Sequence, residues 1–179
     1  MPSSHAKRAL LVIDMQVGLF NGPDKPYKRE QVLENINQLI RRARQAGAPI
    51  FAVRHTGPAE SPIAAGSPFW QLLPTLELDE AQDSVLDKTR PNCFAGTDLA
   101  QRLKEAGVEE LVVVGMKTQY CVDATCRAAS DLGFTVLLVE DAHTCMDTPL
   151  LGAKKIIAHH NATLNGPFVR LAKTPDLSF

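Results

Sequence analysis

The sequence lacks the features that mark membrane, nucleic-acid-binding and disulfide-rich proteins. No run approaches the roughly 18 apolar residues of a membrane span. The apolar run near the N-terminus is too short for a secretory signal and is interrupted by Asp14. Nineteen Lys and Arg balance twenty Asp and Glu without a basic stripe, so we expect neither nucleic acid nor a membrane surface as a partner. A small molecule is the expected partner.

The four cysteines lack the paired spacing of a metal site. They stand at positions 93, 121, 126 and 145 without a CxxC pair. In a chain of this size without a signal segment, we expect reduced thiols and a cytoplasmic protein rather than a disulfide framework. No HxH or HExxH spacing appears, so the motifs predict no metal centre.

Apolar runs alternate with amphipathic segments along the chain. The runs at 9–15, 49–54, 84–88, 110–116, 135–141 and 168–172 are predicted strands, and 30–46, 97–107, 119–132 and 148–160 are predicted helices. Continuous apolar strands that alternate with helices are typical of a parallel sheet covered on both faces. The pattern predicts one domain over residues 1–179 with a Rossmann-like α/β fold. Its expected architecture is a three-layer α/β/α sandwich around a mainly parallel six-stranded sheet.

In such sheets, ligands bind outside the carboxyl ends of the strands, and three of these ends carry an acid, a cation and a thiol. Asp14 follows the first strand, Lys88 ends the third and Cys121 follows the fourth. Each also has a plainer interpretation. Asp14 would anchor a loop, Lys88 would lie on the surface, and Cys121 would be a small buried hydrophobe. As a partly desolvated carboxylate, Asp14 is a candidate general base with raised proton affinity.

The stretch LVVVGMKTQYCVDATCRAA, residues 111–129, favours a functional role for Cys121. Thr118 is a plausible N-cap, which places Cys121 in a first helical turn, where unpaired N–H groups and the macrodipole favour an anion. A nearby Lys88 ammonium would act in the same direction, so we expect a lowered thiol pKa. The same N–H groups are suited to bind a developing oxyanion. The other three cysteines are expected to be packing residues.

Five further side chains near the strand ends are candidates either for a substrate pocket or for loop packing. They are Phe20, His55, Trp70, Phe94 and Tyr120. His55 and His143 are also candidate ligands or bases. The stretch at 56–74 is rich in Pro, Gly and Ser and is predicted to be a long ordered loop, of the kind that often serves a site.

Three separated motifs, LLVIDMQ, KTRPNCFAGTDL and VVVGMKTQYCVDATCRAASDLGFTVLLVEDA, are similar to those of the isochorismatase-like cysteine hydrolases. That family includes nicotinamidases, N-carbamoylsarcosine amidases and ureidoacrylate amidases, and the resemblance spans about residues 9–172. It implies an isochorismatase-like hydrolase fold and a catalytic triad of Asp14, Lys88 and Cys121. It also implies a cis peptide bond between Met116 and Lys117, and an oxyanion hole made by the backbone N–H groups of Lys117 and Cys121.

The activity implied by the resemblance is hydrolysis of a small-molecule amide or related C–N bond through a thioester. Nicotinamidases carry an Asp-x-His metal motif after the second strand, where this chain has Val53-Arg54-His55. Valine cannot ligate a metal, so we expect a metal-independent enzyme without a cofactor. Isochorismatases that cleave a vinyl ether lack the nucleophilic cysteine, so Cys121 favours C–N substrates. Relatives form dimers and tetramers, which implies a homo-oligomer.

Three alternatives remain open at this point. One is an amidase of the nicotinamidase or pyrazinamidase type that keeps His55 as a pocket residue. Another is a non-catalytic, thiol-reactive binding protein on the same fold. The last is a purely structural subunit, in which Cys121 would be inert towards a carbonyl electrophile.

Overall fold

The computed structural model describes residues 6–179, and its centre is a six-stranded sheet in which all neighbouring strands are parallel. The strands are β1 (Arg8–Ile13), β2 (Ile50–His55), β3 (Ser84–Lys88), β4 (Glu110–Met116), β5 (Thr135–Thr144) and β6 (Arg170–Ala172). Their order across the sheet is β3-β2-β1-β4-β5-β6. The predicted domain also includes residues 1–5, which lie outside the described residues. The expectation that the N-terminus is not a secretory signal concerns these residues too.

Helices cover both faces of this sheet. They are α1 (Val17–Phe20), α2 (Arg29–Gln45), α3 (Leu99–Glu105), α4 (Asp123–Asp131) and α5 (Ala153–Leu164). Side chains of α2 pack on one face, and side chains of α3 and α4 pack on the other. The α/β/α sandwich predicted from the alternating pattern is therefore confirmed. Within residues 6–179, every helix is too short or too polar to cross a membrane.

The central strand β1 shows why two core layers form. Ala9, Leu11 and Ile13 belong to one apolar cluster, whereas Leu10 and Val12 belong to the other, and all five are fully buried. Successive side chains of a strand point to opposite faces, so an uninterrupted apolar run supplies both layers at once. Burying each large aliphatic side chain contributes about 2 kcal/mol.

Two helices begin differently from the sequence prediction. The segment predicted as one helix over 119–132 starts as a π-helical turn, Thr118–Val122, and continues as α4. The helix predicted from 148 begins at Ala153 as α5. The preceding loop is held by side chains, since Thr148 Oγ1 accepts two loop N–H groups and Asp147 Oδ1 accepts the N–H of Ala153 at 2.7 Å.

Strand β5 runs three residues beyond its predicted end at 141. A register shift in its pairing with β4 brings His143 opposite Gly115 and Thr144 opposite Met116. The strand therefore continues past the charged pair Glu140 and Asp141. It places His143 against Thr118, in the turn that follows β4.

The segment between β2 and β3 is an ordered loop held by backbone hydrogen bonds to the region of α1. The N–H of Val17 donates to the carbonyl of Gln71 at 2.9 Å, and the N–H of Gly18 donates to Phe69 at 2.8 Å. These bonds hold the Pro-, Gly- and Ser-rich stretch against the carboxyl end of β1.

At Gly115, strand β4 leaves no room for a side chain against β1. Its φ is +118°, and a Cβ added there would lie 2.2 Å from the carbonyl oxygen of Ile13. We expect Gly115→Ala to lower the free energy of unfolding by more than about 3 kcal/mol, because both the backbone conformation and the contact exclude a side chain.

The matched control for this substitution is Gly47→Ala. Gly47 also has a positive φ, +67°, but a Cβ there would meet no atom within 4 Å. The control should cost only about 1–2 kcal/mol, the penalty of the left-handed conformation. Urea denaturation of both variants measures the difference, and equal costs would contradict the steric argument.

Candidate active site

The candidate site lies at the carboxyl ends of the strands, where the strand order reverses between β1 and β4. Crevices at such a reversal are the usual ligand sites of open α/β sheets. Asp14 follows β1 directly, in a left-handed conformation with φ 51°. Cys121 lies in the π-helical turn after β4, and Lys88 is the last residue of β3.

The ammonium of Lys88 joins these residues. Its Nζ lies 3.0 Å from Asp14 Oδ2, 3.0 Å from His55 Nδ1 and 3.3 Å from Cys121 Sγ. An ammonium has three N–H donors and no acceptor, so each proton is directed at one partner. The Lys88 side chain is 0% exposed, and a buried charge is tolerated only when it is paired in this way. The structure thus brings together the three predicted triad residues and adds His55.

The two carboxylate oxygens of Asp14 differ in their partners. Oδ2 accepts from Lys88, whereas the buried Oδ1 has no hydrogen-bond partner among residues 6–179. Burial raises the pKa of Asp14 above its ordinary value, although the charge of Lys88 and the contact with Cys121 act in the opposite direction. This matches the raised proton affinity expected of a general base.

The expectation of a lowered thiol pKa is wrong. Burial, and after it the negative charge of Asp14, raises the pKa of Cys121 to about 12, and the positive charge of Lys88 offsets only part of this. The expected cap is also absent, because the side chain of Thr118 caps no N–H group of the turn and is directed elsewhere. At neutral pH, Cys121 is therefore a protonated thiol.

A buried network, which the sequence did not reveal, fixes the turn that carries Cys121. His143 Nε2 lies 2.8 Å from Asn161 Oδ1, an acceptor, so this nitrogen carries the ring proton. His143 Nδ1 then accepts the hydroxyl of Thr118 at 2.8 Å. Burial lowers the pKa of His143 to about 4, so the ring is neutral. His143, a candidate ligand or base, instead ties the turn to β5 and α5. The sequence pointed to this network only through Thr118, which lies between Gly115 and Cys121 in the motif that contains the thiol.

A cavity of about 200 Å³ opens onto the thiol. Asp14, His55 and Cys121 lie on one side of it, and Leu19, Ile63, Pro91 and Tyr120 form a largely apolar wall. Lys117 also lines the cavity, and the peptide bond between Met116 and Lys117 is cis. Of the five predicted pocket residues, His55 and Tyr120 lie at this cavity.

The other three predicted pocket residues, Phe20, Trp70 and Phe94, do not line this cavity. Phe20 is buried in the core on the α2 side of the sheet. The ring of Trp70 lies under the guanidinium of Arg54, 3.7 Å away. Phe94 stacks on Phe134 at a centroid distance of 6.1 Å. Each makes its contacts in the scaffold around the site, because an aromatic side chain at a strand end serves packing as readily as binding.

Asp14, His55 and Cys121 each offer one potential metal-ligand atom within 4.8 Å of the others. The ammonium of Lys88 contacts all three side chains and places its positive charge among them. A metal ion here would have to compete with that ammonium for the same lone pairs. The donor set therefore fits a buried ammonium better than a metal ion.

The likeness to known proteins agrees with this architecture. Residues 8–156 match the family model of the Isochorismatase domain. The uncharacterized isochorismatase family protein YddQ of Bacillus subtilis (strain 168) is 36% identical over 178 residues, covering 93% of this chain and 96% of that protein. The crystal structure of an isochorismatase family protein superimposes with a TM-score of 0.87 at 36% identity, over 93% of this chain and 98% of the other.

A streptothricin hydrolase of Streptomyces noursei is 37% identical over 142 residues, which cover 79% of this chain and 51% of the hydrolase. The chain thus spans about half the length of that enzyme. Because the family model covers most of the chain and a relative of similar length shares more than a third of its residues, this protein belongs to the isochorismatase family of hydrolases.

Proposed function

We propose that the protein hydrolyses an amide or related C–N bond of a small molecule, with Cys121 as nucleophile and a thioester as intermediate. The observation that carries this proposal is the contact of one buried ammonium, Lys88 Nζ, with both the Cys121 thiol and the Asp14 carboxylate. A nucleophile, a base and a cation within reach of one another are the parts that nucleophilic catalysis needs.

The first step is attack by sulfur on the substrate carbonyl. The Sγ–C bond forms while the thiol proton moves to Asp14 Oδ1, the oxygen that lacks a hydrogen bond within residues 6–179. Because the pKa of the thiol is high, the proton leaves as the new bond forms rather than beforehand. The raised pKa of Asp14 makes it a better acceptor for that proton.

The carbonyl electrons move onto oxygen, and we assign the backbone N–H groups of Lys117 and Cys121 as the donors that stabilise this oxyanion. The C–N bond then breaks as Asp14 returns its proton to the leaving nitrogen, which departs as ammonia or an amine. Asp14 next takes a proton from a water molecule that attacks the thioester. The acid product leaves, and sulfur regains its proton.

The cavity limits the substrate to a small molecule, since about 200 Å³ holds a compact acyl group. The proposed reaction needs no metal, because Lys88 supplies the positive charge among the reacting groups. An amidase that acts on nicotinamide or pyrazinamide remains the second candidate. The apolar wall formed by Leu19, Ile63 and Tyr120 favours it, since a planar ring would pack there.

We expect the wild type to release ammonia or an amine from at least one member of a panel of small amides. The panel contains nicotinamide, pyrazinamide, carbamoyl amino acids, ureidoacrylate and biuret. Cys121→Ala should abolish release, and a chelator should have no effect. Cys126→Ala, which alters a core thiol on α4, is the matched control and should retain turnover.

Mass spectrometry of quenched reactions should show the acyl adduct on Cys121. Turnover by Cys121→Ala would rule out the proposed nucleophile, and loss of turnover with chelator would rule out the metal-free reaction. An adduct without product release would favour a thiol-reactive binding protein.

The dependence of kcat/KM on pH should show an acid limb above the ordinary carboxyl pKa of 3.8. Asp14 must be ionised to accept the thiol proton, and burial raises its pKa. A raised carboxyl pKa means that the folded state holds this proton more tightly, so protonating Asp14 does not itself unfold the protein. Activity should therefore fall while circular dichroism is unchanged. An acid limb at or below 3.8 would contradict the assignment of Asp14 as base.

Asp14→Asn should make Cys121 more reactive towards iodoacetamide while abolishing turnover. The Asp14 carboxylate raises the thiol pKa, and the variant removes it but keeps the Lys88 ammonium. We expect alkylation at pH 8 to be at least about tenfold faster, the effect of one unit of thiol pKa. Asp87→Asn removes the same charge at an exposed position and should change nothing. Slower alkylation of Asp14→Asn would contradict the electrostatic argument.

A further inference from the structure

The contacts of His55 determine which of its two ring nitrogens carries the proton. His55 ends β2, is partly buried, and lines the cavity beside Cys121. Its Nδ1 lies 3.0 Å from Lys88 Nζ, a group that only donates. Nδ1 must therefore be the acceptor, so the neutral ring carries its proton on Nε2. The ring thus has a definite tautomer and a donor at its far end.

The backbone of His55 is held by the side chain of Gln16, the last residue of the LLVIDMQ motif. Gln16 is fully buried. Its Oε1 accepts the N–H of His55 at 2.8 Å, and its Nε2 donates to the carbonyl of His55 at 3.0 Å. The same Nε2 donates to the carbonyl of Trp70 at 2.8 Å. Both backbone groups of His55 are therefore fixed, and Lys88 fixes its ring.

The Nε2–H of His55 is a hydrogen-bond donor that has no acceptor in the described part of the protein. Among residues 6–179, none accepts a hydrogen bond from this nitrogen. Leu19, Ile63 and Pro91, which line the same cavity, have apolar side chains that offer no acceptor. A ligand in the cavity would supply one.

We propose that His55 selects the substrate by donating a hydrogen bond from Nε2 to an acceptor atom other than the scissile carbonyl oxygen. This inference rests on the proposed amide hydrolysis and narrows its substrate class. The preferred substrates are compact amides, apolar over most of their surface, with a second carbonyl oxygen or a heteroaromatic nitrogen that reaches His55.

His55 is a recognition donor in this proposal and not an acid or base. Taking up a second proton would place an N–H of the ring against the Lys88 ammonium. Burial, together with that ammonium, lowers the pKa of His55, so the neutral donor form prevails at neutral pH. Catalytic proton transfer stays with Asp14.

The test compares matched amides that differ only in the acceptor. The three pyridinecarboxamide isomers are compared with benzamide, and 3-oxobutanamide is compared with 3-methylbutanamide. The wild type should prefer the better-placed acceptor of each pair by about tenfold in kcat/KM, the effect of one neutral hydrogen bond. Differences in intrinsic reactivity within a pair cancel when the preference of a variant is divided by that of the wild type.

His55→Phe keeps a ring but removes the donor, and it should abolish this preference. His55→Gln can place its oxygen at Lys88 and its amide N–H in the cavity, and it should retain most of the preference. If His55→Phe slowed both members of each pair equally, His55 would be a packing or positioning residue and the inference would be wrong.

A second measurement does not depend on turnover. Nitrogen-15 NMR of the imidazole, assigned with His55→Gln, should show His55 protonated on Nε2 at neutral pH. Protonation on Nδ1 would overturn the inference. Pyridinecarboxamides titrated into Cys121→Ala should shift the Nε2 proton resonance, and benzamide should not. Such a shift without any turnover in the wild type would refute the proposed hydrolysis but support recognition by His55. Turnover with an unresponsive His55 would refute the recognition role alone.

Discussion

The buried ammonium of Lys88 is the interaction on which the rest of the site depends. It extends from the end of β3 to side chains at the carboxyl ends of β1, β2 and β4. Its three donors meet a carboxylate, an imidazole and a sulfur atom. Because the Lys88 side chain is fully buried, each contact is stronger than at the surface and each is needed to offset the cost of burying the charge. The Lys88 ammonium therefore determines which oxygen of Asp14 accepts its hydrogen bond and which tautomer His55 adopts. It also places a positive charge beside Cys121.

The protonation state of the triad follows from the balance between burial and this cation. Burial disfavours both anions, so the pKa of Asp14 and the pKa of Cys121 are both raised. Burial acts to lower the pKa of Lys88, but the negative charge of Asp14 acts in the opposite direction, and the pKa of Lys88 is raised. The resting thiol is protonated and lies beside the hydrogen-bonded pair of Asp14 and Lys88. In the proposed reaction, a reactive thiolate therefore arises only during attack.

The scaffold holds these groups with buried contacts around the site. The Thr118–His143–Asn161 network fixes the turn that bears Cys121, and Gln16 fixes the backbone at His55. Below them, the apolar side chains of β1 fill both core layers. In the proposed reaction, such fixed positioning would reduce the reorganisation that the transition state requires. The side chains that hold the site therefore contribute to its proposed chemistry as well as to its packing.

The sequence by itself determined the sheet, the layers and the grouping of an acid, a cation and a thiol at the strand ends. Apolar runs report strands locally, and the ends of parallel strands meet at one edge, so Asp14, Lys88 and Cys121 could be grouped before their distances were known. Tertiary structure alone decided that the thiol pKa is raised, that Phe20, Trp70 and Phe94 lie outside the cavity, and that Gln16 and His143 serve the site. These properties depend on burial and on partners distant in the sequence, such as Thr118 with His143, 25 positions apart, and Gln16 with His55, 39 positions apart. A local pattern carries no information about such contacts.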